Sequence, residues 1–183
     1  MNNIFFTADT HFNHTNIIKY CNRPFKTVEE MNEILILNWN KVIKKEDLVY
    51  HLGDFGRGEL KHILDRLNGG IVLLVGSHDK DTLMYSDKFV KIHDILEISP
   101  YGLKKEIFIT LCHYAMRVWP KSHYNSWHLF GHSHNKLEPF GKSFDIGVDG
   151  HNFTPWSLDE IIEKMKKLPD NFNLVKKGGI NGL

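Results

Sequence analysis

Cysteine is nearly missing from this sequence: Cys21 and Cys112 are its only two. That argues against a disulfide framework and against a thiolate zinc site, and it fits a reducing compartment, the cytoplasm. Excess charge of either sign is also lacking, with 23 Lys and Arg against 22 Asp and Glu. No basic field favours a polynucleotide, and no acidic tail calls for a basic partner. A nucleotide substrate stays open, because a metal site supplies its own positive charge. No apolar run is long enough to span a membrane, and the start Met1-Asn2-Asn3-Ile4-Phe5-Phe6 lacks the basic region of a signal peptide.

Histidine, by contrast, is abundant, with 12 in 183 residues. It is the commonest metal ligand and the usual acid or base near neutral pH. At 42% hydrophobic the chain suits one domain over residues 1–183, with a polar tail after about 168 expected to be loose.

Apolar periodicity predicts strands over 4–8, 48–52 and 71–75, separated by helices over 27–44 and 58–67. Thr27 with Glu30 three residues on reads as a capping box, and Met31, Ile34, Leu35, Asn38, Trp39 and Val42 follow at helical spacing. Strand–helix alternation is the mark of an α/β domain with parallel strands. The second half predicts strands over 94–99, 107–112, 128–130 and 144–148, then a helix over 157–167 capped by Ser157.

Five of these apolar runs close on His and Asp. In order the clusters are Asp9-Thr10-His11, Gly53-Asp54, Gly76-Ser77-His78-Asp79, Cys112-His113-Tyr114 and Gly131-His132-Ser133-His134. Any one of them alone reads more readily as a capped turn or a hydrogen-bonded histidine. Together, at one sheet edge, they offer enough O and N ligands for two ions. Oxygen mixed with imidazole and no thiolate selects Mn, Fe, Zn, Co or Ni over Ca. Two such ions roughly 3.5–4 Å apart clamp the attacking and leaving oxygens of an in-line displacement at phosphorus and make hydroxide available near neutral pH.

The motif order resembles that of the calcineurin-like metallophosphoesterase superfamily over about residues 4–149. The stretch from Asp9 to Ile18 and the block Tyr50-His51-Leu52-Gly53-Asp54-Phe55 look like its small bacterial and phage members. The resemblance implies a four-layer α/β/β/α sandwich with a dinuclear site at the strand ends. It assigns Asp9, His11 and His134 to one metal, His113 and His132 to the other, and Asp54 to the bridge. His78 matches the catalytic histidine that contacts the scissile phosphate. Ser77 departs from the pattern, standing where the family has a metal-binding Asn. A hydroxyl is a weaker and shorter ligand, so water or Ser77 fills the gap, the metal preference differs, or activity is lost.

Further residues have two readings each. His14 reaches the substrate phosphate or supports His11; Arg57 steadies the phosphate or is a solvated loop cation; His51 is a supporting or a core residue. Arg23, Tyr114, Arg117, Trp119, His123 and Trp127 lie in loops that could wall the site, with Tyr114 a candidate substrate contact. Trp119 and Trp127 are more often simply core. His62, His93, His128 and His151 read as structural or exposed. The expected function is hydrolysis of small phosphate esters or nucleotides, diesters rather than monoesters. The alternatives are a monoesterase, a nuclease, or a non-catalytic scaffold on the same fold.

Overall fold

Short β-branched and aromatic runs form the strands, and where they stop decides the site. The computed structural model describes residues 3–100 and 107–175. Its elements are β1 (Ile4–Thr7), α1 (Thr15–Tyr20), α2 (Val28–Val42), β2 (Leu48–His51), α3 (Lys61–Leu64), β3 (Gly70–Leu74), β4 (Lys91–His93), β5 (Ile95–Ile98), β6 (Ile109–Cys112), β7 (Trp127–Phe130), β8 (Ser143–Asp145), β9 (Trp156–Ser157) and α4 (Leu158–Lys167). The first sheet has the order β4-β3-β2-β1-β9, and the second β5-β6-β7-β8. The strands β1 to β4 are mutually parallel and so are β6 to β8, while β9 and β5 run antiparallel at the edges.

Register puts Phe5, Val49 and Ile71 in one row and Phe6, Tyr50 and Val72 in the next. Successive side chains of a strand point to opposite faces. The first row packs against Met31, Leu35, Ile36 and Trp39 of α2. On the other face, Phe6, Val72 and Leu74 meet Ile109, Leu111, Trp127, Leu129 and Phe144 of the second sheet, with Ile161 and Met165 of α4 in the same core. The protein is thus mixed α/β, with two parallel-rich sheets face to face. Parallel strands end at a common edge, and the Ala8–Gly147 bridge ties the two sheets together there.

Several boundaries differ from expectation. The helix expected over 58–67 contracts to Lys61–Leu64, because Gly58 takes φ +65° and its N–H goes to Asp81. The strand expected over 144–148 stops at Asp145, and Val148–Gly150 is a 3-10 turn. Thr27 accepts from the Glu30 N–H, but the Glu30 carboxylate turns to the Lys26 N–H, so only half of that capping box forms. The Ser157 and Glu160 box is complete. The short α1 and the edge strands β4 and β9 carry too few residues for a periodic signal.

Trp119 and Trp127 are buried. Beyond α4, Asn171 donates to the Ser122 and Ser126 carbonyls and the Val175 N–H to that of His123. The rest of the tail expected to be loose lies outside the described residues. None of the described helices is long and apolar enough to cross a membrane.

Phe6 is wholly buried between the sheets and stacks on Tyr50 at 5.5 Å. Phe6→Ala is expected to cost about 3–5 kcal/mol in urea unfolding, the range for a truncated core aromatic. A loss no larger than a surface substitution gives would show that the sheets do not depend on this contact.

Candidate metal centre

Five of the clustered residues sit in left-handed backbone: Asp9 (φ 57°), His11 (51°), Asp54 (56°), His132 (67°) and His134 (48°). Each such non-glycine residue costs on the order of 1–2 kcal/mol. The surrounding loops hold them there. The Asp9 N–H donates to the Gly53 carbonyl and that of His11 to Asp54, both at 3.0 Å. The Asp79 carboxylate accepts the N–H groups of Asp54, Phe55 and Gly76 at 2.7–2.8 Å, locking the ends of β2 and β3 together. Gly53 is required between them: at φ +90°, a Cβ would lie 2.6 Å from the Gly76 nitrogen and 2.7 Å from His113 Nδ1.

Two groups of ligand-type atoms result, Asp9, His11 and His134 in one and Asp54, His113 and His132 in the other, each within 4.8 Å of one another. Asp54 Oδ2 lies 3.6 Å from His11 Nε2 and 3.6 Å from His113 Nε2, so it faces both groups. Among the described residues neither Nε2 has a hydrogen-bond partner, although both are buried. The His113 tautomer follows from its neighbours. Nδ1 lies 2.7 Å from the Leu52 carbonyl and must donate, so in the neutral ring Nε2 presents a lone pair to the carboxylate. Burial pushes the ionisation of His11 and of His113 down and keeps both rings neutral. A His113 lone pair facing a buried carboxylate across 3.6 Å fits a cation between them. Burial first, and then Asp145 and Asp54, push the Asp9 carboxyl well up, which is the mark of an anion short of positive charge.

The remaining residues surround these groups. His134 Nδ1 is 2.8 Å from Asp149 Oδ2, and Arg23 donates to Asp149 through Nε and Nη2, also at 2.8 Å. Arg23 further donates to the Asp9 carbonyl at 2.6 Å and to that of Thr10 at 2.9 Å. Burial opposes ionisation of Asp149, but the hydrogen bonds from His134 and Arg23 outweigh it and hold the carboxyl low. Asp145 accepts from Ser133 Oγ and from the Asn135 and Gly147 N–H groups, which shapes the loop carrying His132 and His134. His14 Nδ1 is 3.2 Å from His11 Nδ1, and burial, with Arg57 next, pushes its ionisation down to about 4.

A cleft of about 320 Å³ opens over the first group, lined by His11, His14, Tyr20, Arg57, His78, His132, His134 and Lys136 among others, and by no carboxylate. Arg57 Nη2 is 2.8 Å from His78 Nδ1. The His78 N–H reaches Asp54 Oδ1 at 2.7 Å, while Ser77 Oγ turns to the Asp54 carboxylate at 3.3–3.4 Å. Tyr114 stands outside the cleft lining, its ring edge-on to His113 at 4.8 Å and to His132 at 4.9 Å.

Arg117 lies away from the cleft, over the rings of Phe140 and Phe172. His51 is wholly buried beside Thr10, and His128 is buried against the Thr110 carbonyl. His62 pairs with Glu59 at the surface, and His151 stacks on Trp156. Asp79, Asp145 and Asp149 carry no assignment in the sequence reading. Asp79 at least closes the Gly76-Ser77-His78-Asp79 cluster, whereas no spacing marks the other two.

The uncharacterized protein MJ1445 of Methanocaldococcus jannaschii is 39% identical over 179 residues, covering 91% of this chain and 93% of that protein. The chain belongs to the MJ1445 family. The crystal structure of the protein of unknown function AQ665 from Aquifex aeolicus matches 90% of this MJ1445-family chain and 100% of its own, at 27% identity and TM-score 0.70. A conserved uncharacterized protein of Streptococcus pneumoniae, described as a predicted phosphoesterase, aligns over 80% of this chain and 71% of its own. At 14% identity and TM-score 0.39, that likeness is too slight to carry an argument. No family model matches the chain.

His51 gives the centre a pH signature. Thr10 Oγ1 donates to the Phe55 carbonyl, so His51 Nε2–H donates to Thr10 at 2.9 Å, and burial pushes the ring down to about 4 against the pull of Asp79. Between 6.5 and about 4 the unfolded chain takes the proton more readily. Stability of the metal-stripped protein is therefore full above 6.5 and falls as pH drops through that window. His14, also lowered to about 4, adds to the same trend. His51→Gln should flatten the slope of the urea midpoint against pH. An unchanged slope would rule out His51 as its source.

Proposed function

We propose that this chain is a metal-dependent phosphoesterase of the calcineurin-like metallophosphoesterase type, acting on small phosphate esters or nucleotides, diesters rather than monoesters. The observation that carries the proposal is the meeting of two Asp/His groups at Asp54, with the unpartnered Nε2 atoms of His11 and His113 turned to one carboxylate oxygen. The four-layer sandwich of that superfamily and its two divalent transition ions (Mn, Fe, Zn, Ni or Co) belong to the same proposal.

Asp9, His11 and His134 would hold one ion, and Asp54, His113 and His132 the other, with Asp54 common to both. Bound there, the pair would supply Lewis acidity and a water acidic enough to give hydroxide near neutral pH. The chain's own groups do the rest. Arg57 has only donors, so it donates to His78 Nδ1 and leaves the hydrogen of the neutral His78 ring on Nε2. That is the arrangement of a group that donates to a leaving oxygen. The His78 N–H on Asp54 fixes the loop relative to the ligand groups. A cleft wall with Arg57 and Lys136 and without carboxylates suits an anionic substrate, and its small volume suits a small one.

The scaffold alternative draws on one observation, the Ser77 hydroxyl directed to Asp54 where the superfamily has an amide ligand. Turnover of a chromogenic phosphodiester and its matching monoester with Mn²⁺, Ni²⁺ or EDTA, in the natural chain and Ser77→Asn, separates the readings. Metal-dependent diester cleavage is expected, with Ser77→Asn binding the second ion more tightly. No turnover with any ion, even in Ser77→Asn, would sink the enzyme.

His78→Ala should lower turnover about 10²–10⁴-fold and keep the bound metal. Asp54→Ala should lose metal as well. Equal metal loss in the two variants would make His78 structural.

A further inference from the structure

The centre contains a third group of ligand-type atoms that none of these roles uses. Cys21, His134 and Asp149 each bring one ligand atom within 4.8 Å of the others, and Cys21 and His134 both line the cleft. His134 therefore stands between two groups of opposite character. Asp9 and His11 offer oxygen and nitrogen, whereas Cys21 and Asp149 offer sulfur and oxygen. A thiophilic ion such as Zn²⁺ or Cd²⁺ favours the sulfur, and Mn²⁺ does not.

Arg23 stands against occupation of the sulfur-containing group. Its side chain is wholly buried, and it grips Asp149 with a two-pronged fork, Nε to Oδ1 and Nη2 to Oδ2, both 2.8 Å. Asp149 Oδ2 also receives His134 Nδ1 at 2.8 Å. An ion at Cys21 would have to displace the guanidinium from a bidentate pair or sit beside its charge, and would compete with His134 for the Asp149 carboxylate. The same guanidinium reaches the Asp9 and Thr10 carbonyls, 14 and 13 residues away in sequence, while Asp149 lies 126 away. One side chain thus ties the loop carrying Asp9 and His11 to the partner that orients His134.

We propose that Arg23 is a positioning residue and a metal selector: it assembles the Asp9–His11–His134 group and, by occupying Asp149, closes the Cys21–His134–Asp149 group to thiophilic ions. The proposal rests on the metal-centre reading above. Without Arg23, Asp149 keeps only its His134 contact and stands as a carboxylate with no guanidinium against it, beside Cys21. A thiophilic ion would then bind there, releasing the thiol proton to solvent.

The test compares the natural chain with Arg23→Met, Arg23→Lys and Arg23→Met/Cys21→Ser, each checked for folding by far-ultraviolet circular dichroism. Mn²⁺ binding is read by calorimetry, and Cd²⁺ binding by the ultraviolet thiolate-to-cadmium charge-transfer band. The natural chain should bind two Mn²⁺ and show no band. Arg23→Met should bind one Mn²⁺ about 10–100-fold more weakly, the range for loss of a group that orients a ligand, and should show the band. The double variant should lose the band, which assigns it to Cys21 rather than Cys112. Arg23→Lys keeps the charge without the fork and should weaken the same Mn²⁺ site. It carries the test if Arg23→Met does not fold.

A band in the natural chain, no band in Arg23→Met, or Mn²⁺ affinities unchanged in both variants would overturn the proposal while leaving the metal centre intact. If the natural chain binds no Mn²⁺, the metal-centre reading fails and this inference falls with it.

Discussion

The structure depends on a buried carboxylate oxygen held between two imidazole nitrogens. Asp54 Oδ2 has His11 Nε2 on one side and His113 Nε2 on the other, each at 3.6 Å. For His113, whose Nε2 carries a lone pair, such a contact is repulsive, and folding would avoid it unless something else made it favourable. The loops on both sheets are nonetheless built to maintain it, with the Leu52 carbonyl fixing His113 and the Asp54 carbonyl receiving the His11 N–H. An interior arranged against its own electrostatics points to a guest cation.

The cost extends to the backbone. Asp9, His11, Asp54, His132 and His134 all occupy the left-handed region. Strain of this kind persists where the surroundings over-determine it. Here the surroundings are carboxylates: Asp79 clamps the backbone after β2 and β3, Asp145 that of the loop after β7, and Asp149 holds the His134 ring. These acids are buried, or nearly so, with hydrogen bonds to backbone or cation in place of bulk water. The centre is therefore a shell of carboxylates holding an inner ring of histidines.

The sequence displays the inner ring more clearly than the shell. Asp9, His11, Asp54, His113, His132 and His134 stand at the ends of apolar runs, and parallel strands bring such ends to one edge. The alternation of strands with α2 and α3, and the Ser157 cap of α4, were legible for the same reason: each is a local pattern. What was not legible is set by long-range partners. Asp149 acquires meaning only from Arg23, 126 residues away. Asp145 looks like any polar end of a strand until Ser133 and Asn135 close on it. The contraction of α3 follows from a single glycine turned toward Asp81, which overrides an otherwise helical stripe. Ser77 was visible as a departure, but its turn toward Asp54 is a fact of three dimensions.

The Ala8–Gly147 bridge is the described backbone link between the two sheets at the functional edge, and the His132 N–H reaches across to the Asp9 carboxylate from 123 residues away. His113 Nδ1 crosses the same seam to the Leu52 carbonyl. An ion shared by Asp9 and His134 would thus act as a rivet through the joint of two half-molecules. Its removal would register less as a missing cofactor than as play in a hinge: amides flanking the seam would exchange with solvent faster, while those deep in each sheet kept their protection.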